Sequence, residues 1–146
     1  MAASNIIVFP TDFSERSAAA VDWAQRLGAQ PGSELHVLYV VEEPHIYTSL
    51  DMGPIPIPSI EELTASAEKR MAAYVTEHLK KFPKVVTRVI VGRPAEAIDS
   101  YATEKGASVI VMSTHGYSGV RHVLLGSTTE AVLRHATCPV LSIRSV

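Results

Sequence analysis

The sequence predicts an α/β protein: a single-domain, doubly wound, five-stranded parallel sheet with helices on both faces. Two observations carry this expectation. Short apolar runs alternate with segments of helical period in the order β-α-β-α-β-α-β-α-β, the pattern of strands joined by helical crossovers. The first and fourth runs, "NIIVF" and "SVIVM", are apolar almost throughout, as strands buried on both faces are. No internal repeat, linker or second domain is visible over residues 1–146.

Each element has a local reason. Asn5 to Phe9 reads as the first strand. In "RSAAAVDWAQRLG" the residues Ala18, Val21, Ala24 and Leu27 recur at helical spacing. Ser14 is the expected N-cap, and Gly28 the expected left-handed residue past the end. Leu35 to Val41 is the second strand. Glu42 to Ser59 carries Pro44, Pro54, Pro56 and Pro58, so it reads as a long irregular connection of the kind that serves as a lid or a partner surface. Ser59 with Glu62 forms a capping box opening a helix that runs to about Lys81. Lys84 to Val91 is the third strand. Pro94 suits the first position of a helix ending near Gly106. Ser108 to Met112 is the fourth strand, a helix follows from Gly126 to about Ala136, and "PVLSI" from Pro139 is the fifth strand.

Composition narrows the function classes. Forty-seven per cent of residues are apolar and the net charge is −2, so there is no field for gripping a nucleic-acid backbone or an anionic membrane. One cysteine excludes an internal disulfide. "MAASNIIVFP" is too short and uncharged to read as a secretory signal. No apolar stretch approaches the roughly 20 residues of a spanning helix. The expectation is a cytoplasmic protein with neither nucleic-acid nor membrane partners.

In a doubly wound sheet, ligands sit beyond the carboxyl ends of the strands where the strand order reverses. Pro10, Thr11 and Asp12 follow the first strand; Ser113, Thr114, His115 and Gly116 follow the fourth. The helix opening at Gly126 presents unpaired amides and about half a positive charge, which attract phosphate without lysine. Gly126 admits close approach, Ser127 and Thr128 add hydroxyls, and Gly116 faces the same anion from the other side. The alternative is structural: Ser127 with Glu130 capping the helix, Gly116 turning the chain, and Asp12 capping the first helix.

These residues resemble the universal stress protein family over essentially the whole chain, through "IIVFPTDFSE", "VGRPAEAI" and "VIVMSTHGYSGVRHVLLGSTTEAVLRHATCPVLSIR". The nucleotide-binding branch of that family carries Gly-x2-Gly-x9-Gly-(Ser/Thr). Here the segment reads Ser113-x2-Gly116-x9-Gly126-Ser127, with serine in place of the first glycine. The resemblance implies a Rossmann-like, adenine nucleotide alpha hydrolase-like fold with strand order 3-2-1-4-5. It implies that Pro10, Thr11 and Asp12 line the adenine and ribose end, that Val40 offers main-chain contacts to adenine, and that Met112 and Ser113 lie under base and ribose. Gly116, Gly126, Ser127 and Thr128 then hold the phosphates, with His115 beside them. It further implies ATP, ADP or AMP as ligand, pairing of two copies through Pro139 to Ile143, and a role in stress tolerance without strong catalytic activity. The alternative is an interaction module of the same fold that has lost its ligand, which Ser113 permits. If that position needs a positive φ, serine costs roughly 1–2 kcal/mol; if it needs close approach, the Cβ pushes the ligand away. The expectation is weakened but surviving binding.

Other residues carry less. Arg93, Gly119 and Arg121 are weaker candidates at the phosphate rim. His115, His122 and His135 lack the convergent spacing of a metal site, whereas Mg²⁺ suits phosphate oxygens with Asp12. Cys138 reads as a small apolar residue. "GYSG" fails the G-x-S-x-G spacing of a nucleophile turn. The glycine of a flavodoxin phosphate loop, the third-strand aspartate of response regulators, the H-x-G-H of nucleotidyl transferases, the S-G-G-x-D-S of ATP pyrophosphatases and a Walker lysine are all absent from their places.

Overall fold

The structure, a computed structural model, describes residues 5–43, 57–114 and 125–144. Five strands, β1 (Asn5–Pro10), β2 (Ser33–Val41), β3 (Val85–Val91), β4 (Val109–Ser113) and β5 (Val140–Ile143), form one sheet in the order β3-β2-β1-β4-β5. Every pairing is parallel, with Ile7 opposite both Leu35 and Val109, Leu35 opposite Val85, and Ile110 opposite Val140. The helices are α1 (Glu15–Ala18), α2 (Val21–Leu27), α3 (Ile60–His78), α4 (Pro94–Lys105) and α5 (Ser127–His135). No described helix is long and apolar enough to cross a membrane.

Period-2 alternation divides the centre strands between two cores. Ile7, Phe9, Leu35, Val37 and Val111 pack against α2 and α3. Ile6, Val8, Leu38, Ile110 and Met112 pack against α4 and α5 on the other face. Right-handed crossovers explain the division. The chain winds outward through β1, β2 and β3 with its helices on one face, then returns to β4 and β5 with its helices on the other. The reversal falls between β1 and β4.

Local chemistry sets the ends. Ser59 and Glu62 form the expected capping box on α3. Pro94 opens α4, and Gly106 closes it at φ 64°. The single helix expected after Ser14 is two: the amides of Ala19 and Ala20 bond three residues back, to Arg16 and Ser17, and tighten the chain between α1 and α2. Gly28 is not left-handed. Its φ is −87°, and what it provides is room, since a Cβ there would meet the Phe82 ring at 1.9 Å. The helix expected to reach Lys81 ends at His78 because Leu79 and Phe82 turn inward and are buried. Of the proline-rich connection, residues 44–56 lie outside the described residues.

One polar network runs beneath α4. His36 on β2 is buried. Its Nδ1 lies 2.7 Å from the Tyr101 hydroxyl and its Nε2 3.0 Å from Glu34 Oε2. Lys84 donates to Glu34 Oε1 at 2.6 Å. Burial pushes the Tyr101 phenol above its usual range, while Lys84 first and His36 second hold the Glu34 carboxyl below the usual carboxylate range.

Candidate functional site

At the carboxyl ends of β1, β2 and β4, where the winding reverses, lies a cleft of about 350 Å³. Pro10, Thr11 and Asp12 form its β1 wall, Val40 contributes from β2, and Met112 and Ser113 close β4. Gly126, Ser127 and Thr128 bring the first turn of α5 to the opposite side. The structure therefore gathers into one concavity every described residue that the sequence nominates for ligand contact except Arg93. His115, Gly116, Gly119 and Arg121 lie outside the described residues. Arg93 is described but does not line the cleft: its side chain is 84% exposed and pairs with Glu96 at 3.5 Å.

The β1–α1 turn is held by a directed chain of hydrogen bonds. The Ser17 hydroxyl donates to the Ser14 carbonyl at 2.8 Å. Thr11 Oγ1 then donates to Ser17 Oγ at 2.8 Å and accepts the Phe13 amide at 3.0 Å. Asp12 Oδ1 accepts the Ser14 amide at 2.9 Å. Between them Phe13 stands at φ 64°, the one non-glycine residue with positive φ among those described. That conformation costs roughly 1–2 kcal/mol for a side chain of this size. Ring contacts offset it. Phe13 stacks on Tyr39 at 4.7 Å, meets Tyr74 at 5.6 Å, and lies under the Arg70 guanidinium at 4.9 Å. Aromatic pairs contribute about 0.5–1.5 kcal/mol each and an exposed cation–π contact about 0.5–1 kcal/mol. Burial pushes the Tyr74 phenol above its usual range.

Across the cleft, α5 starts without a side-chain cap. Gly126 is its N-cap at φ −67° and ψ 154°, with no side-chain hydrogen bond. The alternative of Ser127 as a cap paired with Glu130 does not hold: Ser127 is already the first helical residue, and Glu130 instead bonds Arg134 at 2.8 Å. Gly126 donates its amide to the Thr114 carbonyl at 2.7 Å. Buried Thr129 donates Oγ1 to the Ser113 carbonyl at 2.9 Å. These two bonds fix the first turn of α5 against the end of β4. Ser113 has no positive φ, so it stores no strain, and its Cβ acts only through the space it fills.

The electrostatic layout is unusual for an anion site. The described lining contains two carboxylates, Asp12 and Glu42, and neither lysine nor arginine. Among the described residues, attraction for an anion comes from the α5 amides and the hydroxyls of Ser127 and Thr128. Attraction for ligand hydroxyl or amino groups is left to the carboxylates on the other wall. A bipolar ligand fits this division. Sequence reasoning missed Ser17, Leu38, Tyr39, Glu42, Pro94, Ile98 and Thr129 among the lining residues. Glu42 and Thr129 stand two positions or fewer from nominated residues, so extending each segment finds them. Pro94 and Ile98 form one face of the first turn of α4, and only the pairing of β3 beside β2 reveals that this turn reaches the cleft.

Comparison with known proteins agrees with this fold. The model of the universal stress protein family matches residues 4–144. The chain is 33% identical to universal stress protein YxiE of Bacillus subtilis over 147 aligned positions, covering 96% of this chain and 99% of that one. It is 31% identical to universal stress protein MJ0577 of Methanocaldococcus jannaschii, covering 94% of this chain and 93% of that one. A solved structure of MJ0577 superposes with a TM-score of 0.80, covering 98% of this chain and 97% of that chain at 29% identity. A crystal structure of a universal stress protein in complex with cAMP superposes with a TM-score of 0.61, covering 99% and 100% of the two chains at 25% identity.

Proposed function

The chain belongs to the universal stress protein family, and from that membership we propose that it is a stress-response regulator that binds an adenine nucleotide in the cleft at the β1–β4 reversal. The observation that carries the proposal is the uncapped start of α5 at Gly126, set across a single cleft from the Asp12 carboxylate. The relative bound to cAMP supports an adenine nucleotide over other bipolar ligands. In this reading the α5 amides with Ser127 and Thr128 hold the phosphate. Asp12 and the Val40 main chain take the base and ribose. ATP, ADP and AMP are the ligands to compare, with Mg²⁺ accompanying the longer phosphate chains, because two wall carboxylates repel them otherwise.

The same reading has two copies pairing through the strand that begins at Pro139. β5 is an edge strand, and Val140, Leu141 and Ile143 on it are half-buried in the single chain. Unpaired edges of this kind are covered in stable assemblies. No catalytic residue is assigned, and the cytoplasm is the compartment proposed. The alternative, a module that binds protein partners without nucleotide, is favoured by Ser113 standing where the nucleotide-binding pattern has glycine.

Native mass spectrometry of protein purified without added nucleotide, followed by calorimetry with AMP, ADP and ATP, separates the two. Binding to a dimer with submillimolar to low-millimolar dissociation constants is the expected result. No heat with any of the three nucleotides at millimolar concentration overturns the nucleotide reading and leaves the alternative. A single-turnover ATPase signal above background that Asp12→Asn abolishes overturns the assignment of no catalytic residue.

A further inference from the structure

We infer that Phe13 is a positioning residue: its strained backbone and pinned ring hold Asp12 at the angle from which its carboxylate meets the ligand. The inference rests on the nucleotide reading above and deepens it. Phe13 directly follows Asp12, a wall residue of the cleft, and is the one described non-glycine residue at positive φ. A bulky side chain does not choose this conformation locally, and surroundings that over-determine it must impose it. Those surroundings are specific. One face of the ring stacks on Tyr39 at an interplanar angle of 16°, and Tyr39 itself lines the cleft. Tyr74 and Arg70, both on α3, complete the clamp.

Two simpler roles fail to account for the residue. A turn alone is served by glycine, which adopts positive φ without strain. Packing alone is served by a ring on an unstrained backbone. Phe13 joins the two, so the core on the α3 side fixes the orientation of the preceding carboxylate. From the other side, Thr11 is fixed through Ser17, and the Asp12 Oδ1 to Ser14 bond closes the turn. Asp12 thus stands between two anchored neighbours, and both anchors converge on Tyr74 of α3, Thr11 through the Ser17 hydroxyl 3.5 Å from the Tyr74 hydroxyl and Phe13 through its ring.

The test is a double-mutant cycle read by calorimetry with AMP as the probe, using wild type, Phe13→Gly, Asp12→Asn and the double variant. Glycine suits the turn but removes the clamp. Phe13→Gly is expected to lose about tenfold in AMP affinity, and to lose less than about twofold further in the Asp12→Asn background, because contacting residues couple while independent ones add. Phe13→Tyr, which keeps the ring, is expected to stay within about twofold of wild type on the same reasoning. If Phe13→Gly unfolds, Phe13→Leu carries the same comparison. Unchanged affinity in the ring-deleted variant, or losses that simply multiply in the double variant, overturn the inference while the nucleotide reading stands. Failure of wild type to bind AMP, ADP or ATP overturns that reading first and this inference with it.

Discussion

Gly126→Asp separates what the start of α5 does for the fold from what it does for a ligand. Gly126 occupies extended backbone at φ −67° and ψ 154°, which aspartate adopts freely and which is the usual geometry of an N-cap. The new carboxylate would accept a bond from an amide two or three residues on, in a helix that now lacks any side-chain cap. Aspartate in place of glycine at a cap gains a few tenths of a kcal/mol, and a negative charge at a helix start adds about 0.3–1 kcal/mol. In a chain of this length the sum raises the melting temperature by roughly 2–4 °C. Binding moves the other way. The carboxylate takes the amides proposed for phosphate and repels it, by about 4 kcal/mol at 4 Å with an effective dielectric of 20. Halving that for solvent in a half-open cleft leaves about 2 kcal/mol, roughly a thirtyfold loss of affinity. Differential scanning calorimetry and titration with AMP read the two effects on one preparation. Gly126→Ser, which caps without charge, is the control and should bind far better than the aspartate variant. Equal AMP affinity in Gly126→Asp and wild type refutes the reasoning, because phosphate then sits elsewhere.

Three further outcomes follow from the packing and the ionised groups. Gly28→Ala should destabilise by about 1–3 kcal/mol through overpacking, because its Cβ would meet the Phe82 ring at 1.9 Å; urea denaturation checks it, and Phe82→Leu in the same chain should recover most of the loss. Glu34, held below the usual carboxylate range by Lys84 and then His36, contributes stability that is complete above the ordinary carboxylate range and drains away as pH falls through the lowered folded value. Glu34→Gln should therefore flatten the acid limb of a stability–pH curve. Asp99 is shifted upward by burial, partly opposed by His135, and its Oδ1 has no hydrogen-bond partner among the described residues. Its native state holds the proton more tightly than the unfolded chain does, so stability falls as pH rises through the ordinary carboxylate range toward the raised folded value. Asp99→Asn should raise stability at neutral pH, and the gain should shrink on acidification below the carboxylate range.

Much of the architecture was legible because each strand and helix declares itself through a short-range pattern. The double burial of Ile7, Val8 and Phe9 is written in an unbroken apolar run, and the α3 capping box in two residues three apart. Gly28 shows where that legibility stops. Glycine past a helix end usually signals a left-handed cap, as Gly106 does, but a demand for space imposed by Phe82, 54 positions away, leaves the same letter. The break between α1 and α2 was hidden for a related reason, since an alanine-rich stretch has good helical propensity and the three-residue backbone bonds of Ala19 and Ala20 that divide it leave no mark in the letters. At the site, the loop ends and the glycine-led helix could be read from spacing. The strain at Phe13 could not, because nothing in "TDFSE" marks its third residue as left-handed.

The placement of the cleft follows from winding more than from any one residue. The chain reverses direction between β1 and β4, so the helices that follow them lie on opposite faces, and the segments leaving those two adjacent strands must diverge. A gap at that edge is unavoidable, and its walls are the turn after β1 and the helix start that packs behind β4. Backbone therefore dominates the chemistry: an uncapped helix start on one wall and a strained turn presenting a carboxylate on the other. The described lining accordingly holds neither lysine nor arginine. The consequence for variation is specific. Substitutions that add bulk or charge at Gly126 should alter the proposed ligand site while leaving both hydrophobic cores intact, whereas release of the Phe13 ring also loosens the core on the α3 side. Substitutions within those cores, at Phe9 or Leu38 for example, should lower stability and ligand uptake together.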